Sequence, residues 1–394
     1  MPEPFDVAKL SPNQRRASLA AVYACIFANG VGMGLSLPLL SLILERNGMS
    51  ATLNGANTTF GALAMLVFTP FIPALAARIG TVRFLVACYI IAAASLVAFR
   101  ASDDLVLWFA LRFTLNCALQ GLFLVSEVWI NQLATDAVRG RLVAIYASIF
   151  SAGFALGPII IQTLGTEGWA PFIAGAVAML LAMVPLLSAG KRVPPVEHAK
   201  ASAMFGFVLR SPSAAAAGLA YGAMEACAGT FLTVYAVRLG EEERAATLLV
   251  TALGIGNMLL VPALGWLADK IDRRLVLILC GAVGMAGAAM LPLAPNASLT
   301  GLAIVFFWGG FISSIYAVGL AHLGANFHGA ELAAANAAFS IVYALGNMAG
   351  PGLGGIGMDL WNPHGLIAVL ILISAALVAV VAYRTATFPR APAA

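Results

Sequence analysis

What most constrains this chain is a succession of long apolar runs, separated by short polar turns, that recurs from residue 17 to residue 383. An apolar run of more than about 18 residues is long enough to cross the hydrocarbon core of a bilayer as a helix. Lipid gives backbone N–H and C=O groups no partner, so a spanning segment is a helix or part of a closed barrel. The runs here are continuous rather than alternating, which excludes the barrel and predicts an all-α membrane protein. With 61% hydrophobic and 10% charged residues and a mean hydropathy of +0.95, the chain is not a soluble domain. Its opening, MPEPFDVAKLSPNQRR, is polar and carries no cleavable signal pattern, so the first apolar run is expected to stay as a span.

Twelve spans are read, at about 17–44, 53–77, 84–101, 105–132, 142–165, 170–189, 213–237, 246–268, 275–294, 300–325, 332–356 and 364–383. An even count puts both termini on one side, and Lys and Arg decide which. With a cytoplasmic N-terminus, the cytoplasmic segments hold Lys9, Arg15, Arg16, Arg78, Arg83, Arg139, Arg141, Lys191, Arg192, Lys200, Arg210, Lys270, Arg273, Arg274, Arg384 and Arg390, sixteen in all. The opposite side holds four, Arg46, Arg100, Arg238 and Arg244. Both termini are therefore expected in the cytoplasm, and the localisation is a multi-pass protein of the inner membrane. This distribution accounts for the net charge of +4, so no nucleic-acid partner is expected. The longest loop, 190–212, is basic and proline-marked. It divides the chain into six-helix bundles at 1–189 and 213–394.

An internal repeat supports that division. Gly153, Gly157 and Pro158 in span 5 match Gly346, Gly350 and Pro351 in span 11 at an offset of 193. Gly346, Gly350 and Gly354 fall four apart, a stripe of small residues that lets helix backbones approach closely. The loops PALAARIGTVRFLV (73–86) and PALGWLADKIDRRLVL (262–277) also correspond. Two six-span halves in a parallel repeat are a transporter architecture, with the substrate site expected near mid-membrane between them.

These motifs resemble those of the major facilitator superfamily over nearly the whole length. The segment Gly265 to Arg274 is similar to that family's loop signature, glycine-x-x-x-aspartate-basic-x-glycine-basic-basic. Gly265, Asp269, Lys270, Arg273 and Arg274 match, and Asp272 replaces the second glycine. In the first-half copy Pro73 and Ala77 replace the glycine and the aspartate, while Arg78, Gly80 and Arg83 remain. The resemblance implies a gating latch; simple anchoring of basic loops to lipid phosphates is the other reading. In span 4, Arg112 with the pair Gln120-Gly121 is a second family trait. The run Glu127-Val-Trp129-Ile-Asn131 followed by Arg139-Gly-Arg141 resembles the YcaD-like subgroup, and Val128 stands where that subgroup usually has serine. The family's antiporter motif usually lies in span 5, where Ile159, Ile160 and Ile161 here follow Pro158.

Charges in hydrocarbon cost at least about 2.5–3.5 kcal/mol, so each needs a partner or a cavity. Glu225 lies near the middle of span 7. It is the candidate proton-coupling carboxylate; alternatively it is a protonated acid bonded to a neighbouring helix. Arg112, roughly 10 Å deep at 1.5 Å per residue, either holds an anionic group or is paired structurally. Glu127, at the cytoplasmic end of span 4, is read as a gating partner for Arg139, Arg141 or Arg78. A substrate cavity is outlined by Asn29, Arg112, Asn116, Gln120, Tyr221, Asn257, Tyr316, Asn336 and Tyr343, although each polar group alone is more often an interhelical hydrogen bond. His322, at the cytoplasmic end of span 10, is read as structural.

The five cysteines (Cys25, Cys88, Cys117, Cys227, Cys280) lie in apolar runs without a CxxC spacing and are read as buried hydrophobes. No metal-ligand cluster, nucleophile elbow or Walker A loop appears, so neither a cofactor nor ATP is expected and the chain is not read as an enzyme. The expectation is a monomeric secondary transporter working by alternating access, with a small-molecule substrate, protons and the lipid bilayer as its partners. Efflux of a small organic or amphipathic compound in exchange for protons leads. Uptake or uniport of an organic anion held by Arg112 is the alternative, and a non-transporting membrane sensor comes last.

Overall fold

A computed structural model describes residues 11–133, 139–189, 210–293, 298–325, 327 and 329–387. Among them the secondary structure is helical: α1 (Pro12–Arg46), α2 (Ala51–Phe68), α3 (Ile72–Ile79), α4 (Thr81–Ala101), α5 (Leu105–Leu133), α6 (Arg139–Leu164), α7 (Ala170–Ala189), α8 (Pro212–Arg238), α9 (Glu243–Lys270), α10 (Arg273–Met290), α11 (Leu299–Gly324), α12 (Gly329–Leu360) and α13 (Gly365–Thr387). The 53–77 stretch is not one helix. A 3-10 turn at Thr69–Phe71 separates α2 from α3, because Pro70 and Pro73 cannot donate the backbone bonds that a continuous helix needs. Of the 190–212 linker only the last three residues are described.

Among the described residues, ten segments are long and apolar enough to cross a membrane, α2 and α3 counting as one. Large apolar side chains such as Leu181, Val184, Phe307 and Leu372 face outward from them, as a lipid-exposed surface requires. α8 and α12 are not among the ten, although they are 27 and 32 residues long. Both are rich in glycine and alanine and interrupted by polar side chains. α8 is buried along almost its whole length, so its polar groups are sheltered by protein rather than lipid.

The described helices form two compact units. One comprises Met1–Leu40 and Phe60–Ala199; the other comprises Ser41–Thr59 and Lys200–Ala394. The turn between α1 and α2, with the flanking helix ends, thus belongs with the C-terminal helices. In the second unit α8 packs against α9, α11, α12 and α13.

Among the helices in backbone contact, a matching pair occurs in each unit. In the first, Gly30 and Gly34 of α1 meet the Phe150 and Phe154 carbonyls of α6, while Gly153 of α6 meets the Phe27 carbonyl. In the second, Gly346 and Gly350 of α12 meet the Leu219 and Ala223 carbonyls of α8, Gly354 meets the Cys227 sulfur, and Gly222 meets the Tyr343 carbonyl. The partners on α8 are themselves four apart, so the stripe runs in register along one face. The same packing in α1–α6 and α8–α12 is the repeat seen in three dimensions. Pro158 and Pro351 stand inside α6 and α12 at matching places.

Candidate functional site

The close approach of α12 to α8 brings three tyrosines around one carboxylate. Tyr221 and Glu225 are four residues apart on α8 and therefore face together. The Tyr221 hydroxyl donates to Glu225 Oε1 at 2.7 Å. From α12, the Tyr343 hydroxyl donates to Oε2, also at 2.7 Å. Asn347, one turn on, donates its amide to the Tyr343 oxygen at 3.2 Å and holds that ring in place. Tyr316 of α11 completes the cluster: its ring centroid is 5.4 Å from Tyr221 and 5.3 Å from Tyr343, and those two stack at 5.7 Å. Glu225, Tyr316 and Tyr343 are each only half-buried, so the cluster presents a carboxylate and ring faces to an accessible space.

Asn29, Arg112, Asn116 and Gln120 are in the first unit. Arg112 is 1% exposed, and its Nη1 donates to the Ser36 carbonyl at 3.1 Å. The Asn116 amide donates back to the Arg112 carbonyl at 2.8 Å. Gly61 makes room for both, since a Cβ there would come within 2.7 Å of each side chain. The Asn29 amide donates to the Leu119 carbonyl at 2.6 Å, and Gln120 donates to Thr69 Oγ1 at 3.0 Å. In the second unit Asn257 is half-buried on α9 and Asn336 is exposed on α12.

The motif residues of α5 divide by role. Trp129 is fully buried, and its Nε1 donates to Ser18 Oγ of α1 at 2.9 Å, so it fixes α5 against α1. Glu127 is half-buried, and its main-chain carbonyl accepts from Asn131 at 2.8 Å. The side chains of Arg139 and Arg141, two of its expected partners, lie outside the described residues. Arg78 and Arg83 are exposed.

Comparison with known proteins decides the family. The family model described as Major Facilitator Superfamily matches residues 22–245 and 214–394, nearly the entire chain. The chain belongs to the Major Facilitator Superfamily. The uncharacterized MFS-type transporter YfkF of Bacillus subtilis (strain 168) is 27% identical over 359 residues, covering 87% of this chain and 89% of the relative. The uncharacterized MFS-type transporter Ent638_1421 of Enterobacter sp. (strain 638) is 25% identical over 259 residues, 62% of this chain and 63% of its own length. Among solved structures, the nucleoside transporter NupG superposes with a TM-score of 0.71 at 12% identity over 96% of this chain and 100% of its own. A bacterial homolog to the human lysosomal transporter Spinster, inward-facing and occupied, gives 0.75 at 16% identity over 98% and 100%. At these identities the likeness is one of fold. The protein is a multi-pass integral membrane transporter.

The superfamily's signature loop, between α9 and α10, is tied down at both ends. Asp272, where the family pattern has glycine, caps α10 by accepting from the Arg274 amide at 2.8 Å, a role that aspartate fills well. Arg273 reaches the Ala321 carbonyl of α11 at 3.0 Å and lies 3.7 Å from Asp269. Lys270 sits over the Trp266 ring at 3.8 Å.

A network that the sequence did not disclose lies where α1, α2, α8, α9 and α12 end in the second unit. Arg238 grips Glu45 through two bonds of 2.7 and 2.9 Å and reaches Asn362 at 2.9 Å. Arg46 pairs with Glu243. The Asp359 carboxylate accepts the Ala51 and Thr52 amides at 3.0 and 2.8 Å, capping α2 from the far end of α12. Burial alone would raise the Asp359 pKa, but the bonds from Thr52 and Ala51 and the charge of Arg238 outweigh it and hold the carboxyl below its ordinary value. Thr59 adds a bond to the Met348 carbonyl at 2.8 Å. The one available signal was that Arg46 and Arg238 are two of the four bases expected on the side opposite the termini, and each lies within a turn of a helix end.

Proposed function

We propose that this protein is a proton-coupled antiporter that exports a small organic or amphipathic compound by alternating access, with Glu225 carrying the proton. The observation that supports this is the Glu225 carboxylate, set in the interior of a helix bundle and served by two tyrosine hydroxyls at 2.7 Å. A carboxylate that alternates between a proton and another partner needs donors that hold it when ionised and a path to solvent, and its half-buried position offers the second. The three ring faces beside it suit a compound that joins an apolar body to an amine, because aromatic faces attract cations and a carboxylate neutralises them. The proposal includes twelve spans, two six-helix halves at 1–189 and 213–394, cytoplasmic termini, the inner membrane, a monomer, a place in the YcaD-like subgroup and no catalytic activity. The anion reading through Arg112 has less support, since that guanidinium is buried and already bonded to the Ser36 carbonyl.

The test is proton release. Purified protein in weakly buffered detergent solution is mixed with each of a panel of small amphipathic compounds, amines and anions among them. A compound that releases protons from the wild type and none from Glu225→Gln supports the proposal. Equal release from both proteins, or release only with anions and only while Arg112 is intact, overturns it.

A further inference from the structure

A second site lies at the N-terminus of α8, ten residues before Tyr221. A pocket of about 230 Å³ opens there, with Arg210, Ser211, Arg274, His322 and Arg384 among its lining residues and no acidic residue among the described ones. All three arginines belong to the basic-rich face of the chain. Arg210 stays near the rim: it lies over the Phe327 ring at 5.2 Å and 3.6 Å from Glu331, both members of that pair being more than half exposed. Three guanidiniums line so small a volume, and a multivalent anion has enough oxygens to accept from more than one of them.

Two further observations point to an anion. The pocket is at the positive end of a 27-residue helix, where first-turn amides and the dipole favour negative charge. Ser211, the N-cap residue, makes no capping bond from its side chain. It is 4% exposed, and its hydroxyl has no hydrogen-bond partner. A buried hydroxyl that neither caps its helix nor finds another acceptor is a donor in waiting, and it stands in the wall of the arginine pocket.

We propose that this pocket binds a phosphate group, supplied by an anionic phospholipid headgroup or by a soluble phosphate. The tetrahedral oxygens accept from Arg274, Arg384 and Ser211 together, which a planar carboxylate does less completely. The basic face is the one that meets headgroups, and basic pockets between spans hold them. Occupancy ties α8 to α10 and α13, which carry Arg274 and Arg384.

The experiment measures the thermal unfolding midpoint of the full-length protein in two arms. In one, it is reconstituted in vesicles of phosphatidylcholine with and without phosphatidylglycerol or cardiolipin. In the other, inorganic phosphate is titrated into detergent solution at constant ionic strength, with chloride as the comparison. The variants are Ser211→Ala, which costs the fold little because the side chain makes no cap, and Arg274→Gln with Arg384→Gln. Arg16→Gln, an exposed arginine of the same face, is the control. A rise with anionic lipid only, lost in the pocket variants and kept in the control, assigns the site to a headgroup. A rise with inorganic phosphate that shows the same losses assigns it to a soluble phosphate. Apparent affinity is expected to fall on the order of tenfold in each pocket variant. No rise in either arm, or a rise that all variants share equally, overturns the proposal.

Discussion

Replacing Gly350 with alanine places a methyl group where α12 meets the backbone of α8. A Cβ on Gly350 falls well inside 3.0 Å of the Ala223 carbonyl, a separation that real Cβ atoms essentially never show. The obstacle is backbone, so no side chain can rotate away. The helices must separate by on the order of 1 Å, and overpacking of this kind costs about 1–3 kcal/mol. Alanine also gains up to about 1 kcal/mol of helix propensity over glycine. Gly352, two residues on, isolates that gain, because a Cβ there would meet Thr59 Oγ1 at 3.4 Å, an ordinary contact. Gly350→Ala should therefore be less stable than Gly352→Ala by about 1–3 kcal/mol, a roughly five-fold to more than hundred-fold change in the folding equilibrium. The assay is unfolding in mixed micelles with rising dodecyl sulfate, followed by helical circular dichroism. The same separation stretches the Tyr343–Glu225 bond from 2.7 Å toward the limit of hydrogen bonding, so transport should fall with stability. If Gly350→Ala proves as stable as Gly352→Ala, the backbone-contact reading of the glycine stripe is wrong.

Asp359→Asn should destabilise the protein in a pH-dependent way. The native carboxyl lies below its ordinary value of 3.8, so its stabilisation is complete above that value and is lost as pH falls through the native one. Unfolding midpoints of the two proteins should differ by a constant amount above about pH 5 and converge below 3.8; a gap unchanged by pH contradicts this. A double-mutant cycle on Glu45 and Arg238, whose side chains are 20% and 14% exposed, should give a coupling of about 0.5–3 kcal/mol, and additive single effects would show that the pair contributes nothing. Trp129→Ala should cost about 3–5 kcal/mol in the same micelle assay, since this side chain is fully buried and bonded to Ser18. A loss below about 1 kcal/mol would mean that α5 is held against α1 by other groups.

The apolar runs made the helices legible, because a bilayer imposes length and continuity that few other environments do. The glycines at 346, 350 and 354 were legible as one face, since a spacing of four needs only helical geometry. Glu225 stood out because a carboxylate within an apolar run is costly, and Tyr221 shares its face by the same spacing. Tyr343 and Asn347 were different. Their place beside Glu225 depends on the register of α12 against α8, which no local pattern encodes. The attachment of residues 41–59 to the C-terminal helices was likewise invisible: Asp359 and the α2 amides that it caps are more than 300 residues apart. The break after Phe68 was written in Pro70 and Pro73, but the surrounding hydrophobicity hid it.

Glu225 is proposed to couple protons to transport. The direct measurement uses proteoliposomes loaded with a compound that releases protons from the purified protein, and compares flux driven by an imposed pH gradient with gradient-free exchange of labelled for unlabelled compound. Glu225→Gln should abolish gradient-driven flux while exchange continues. Gradient-driven flux in that variant with the pH dependence of the wild type would contradict it.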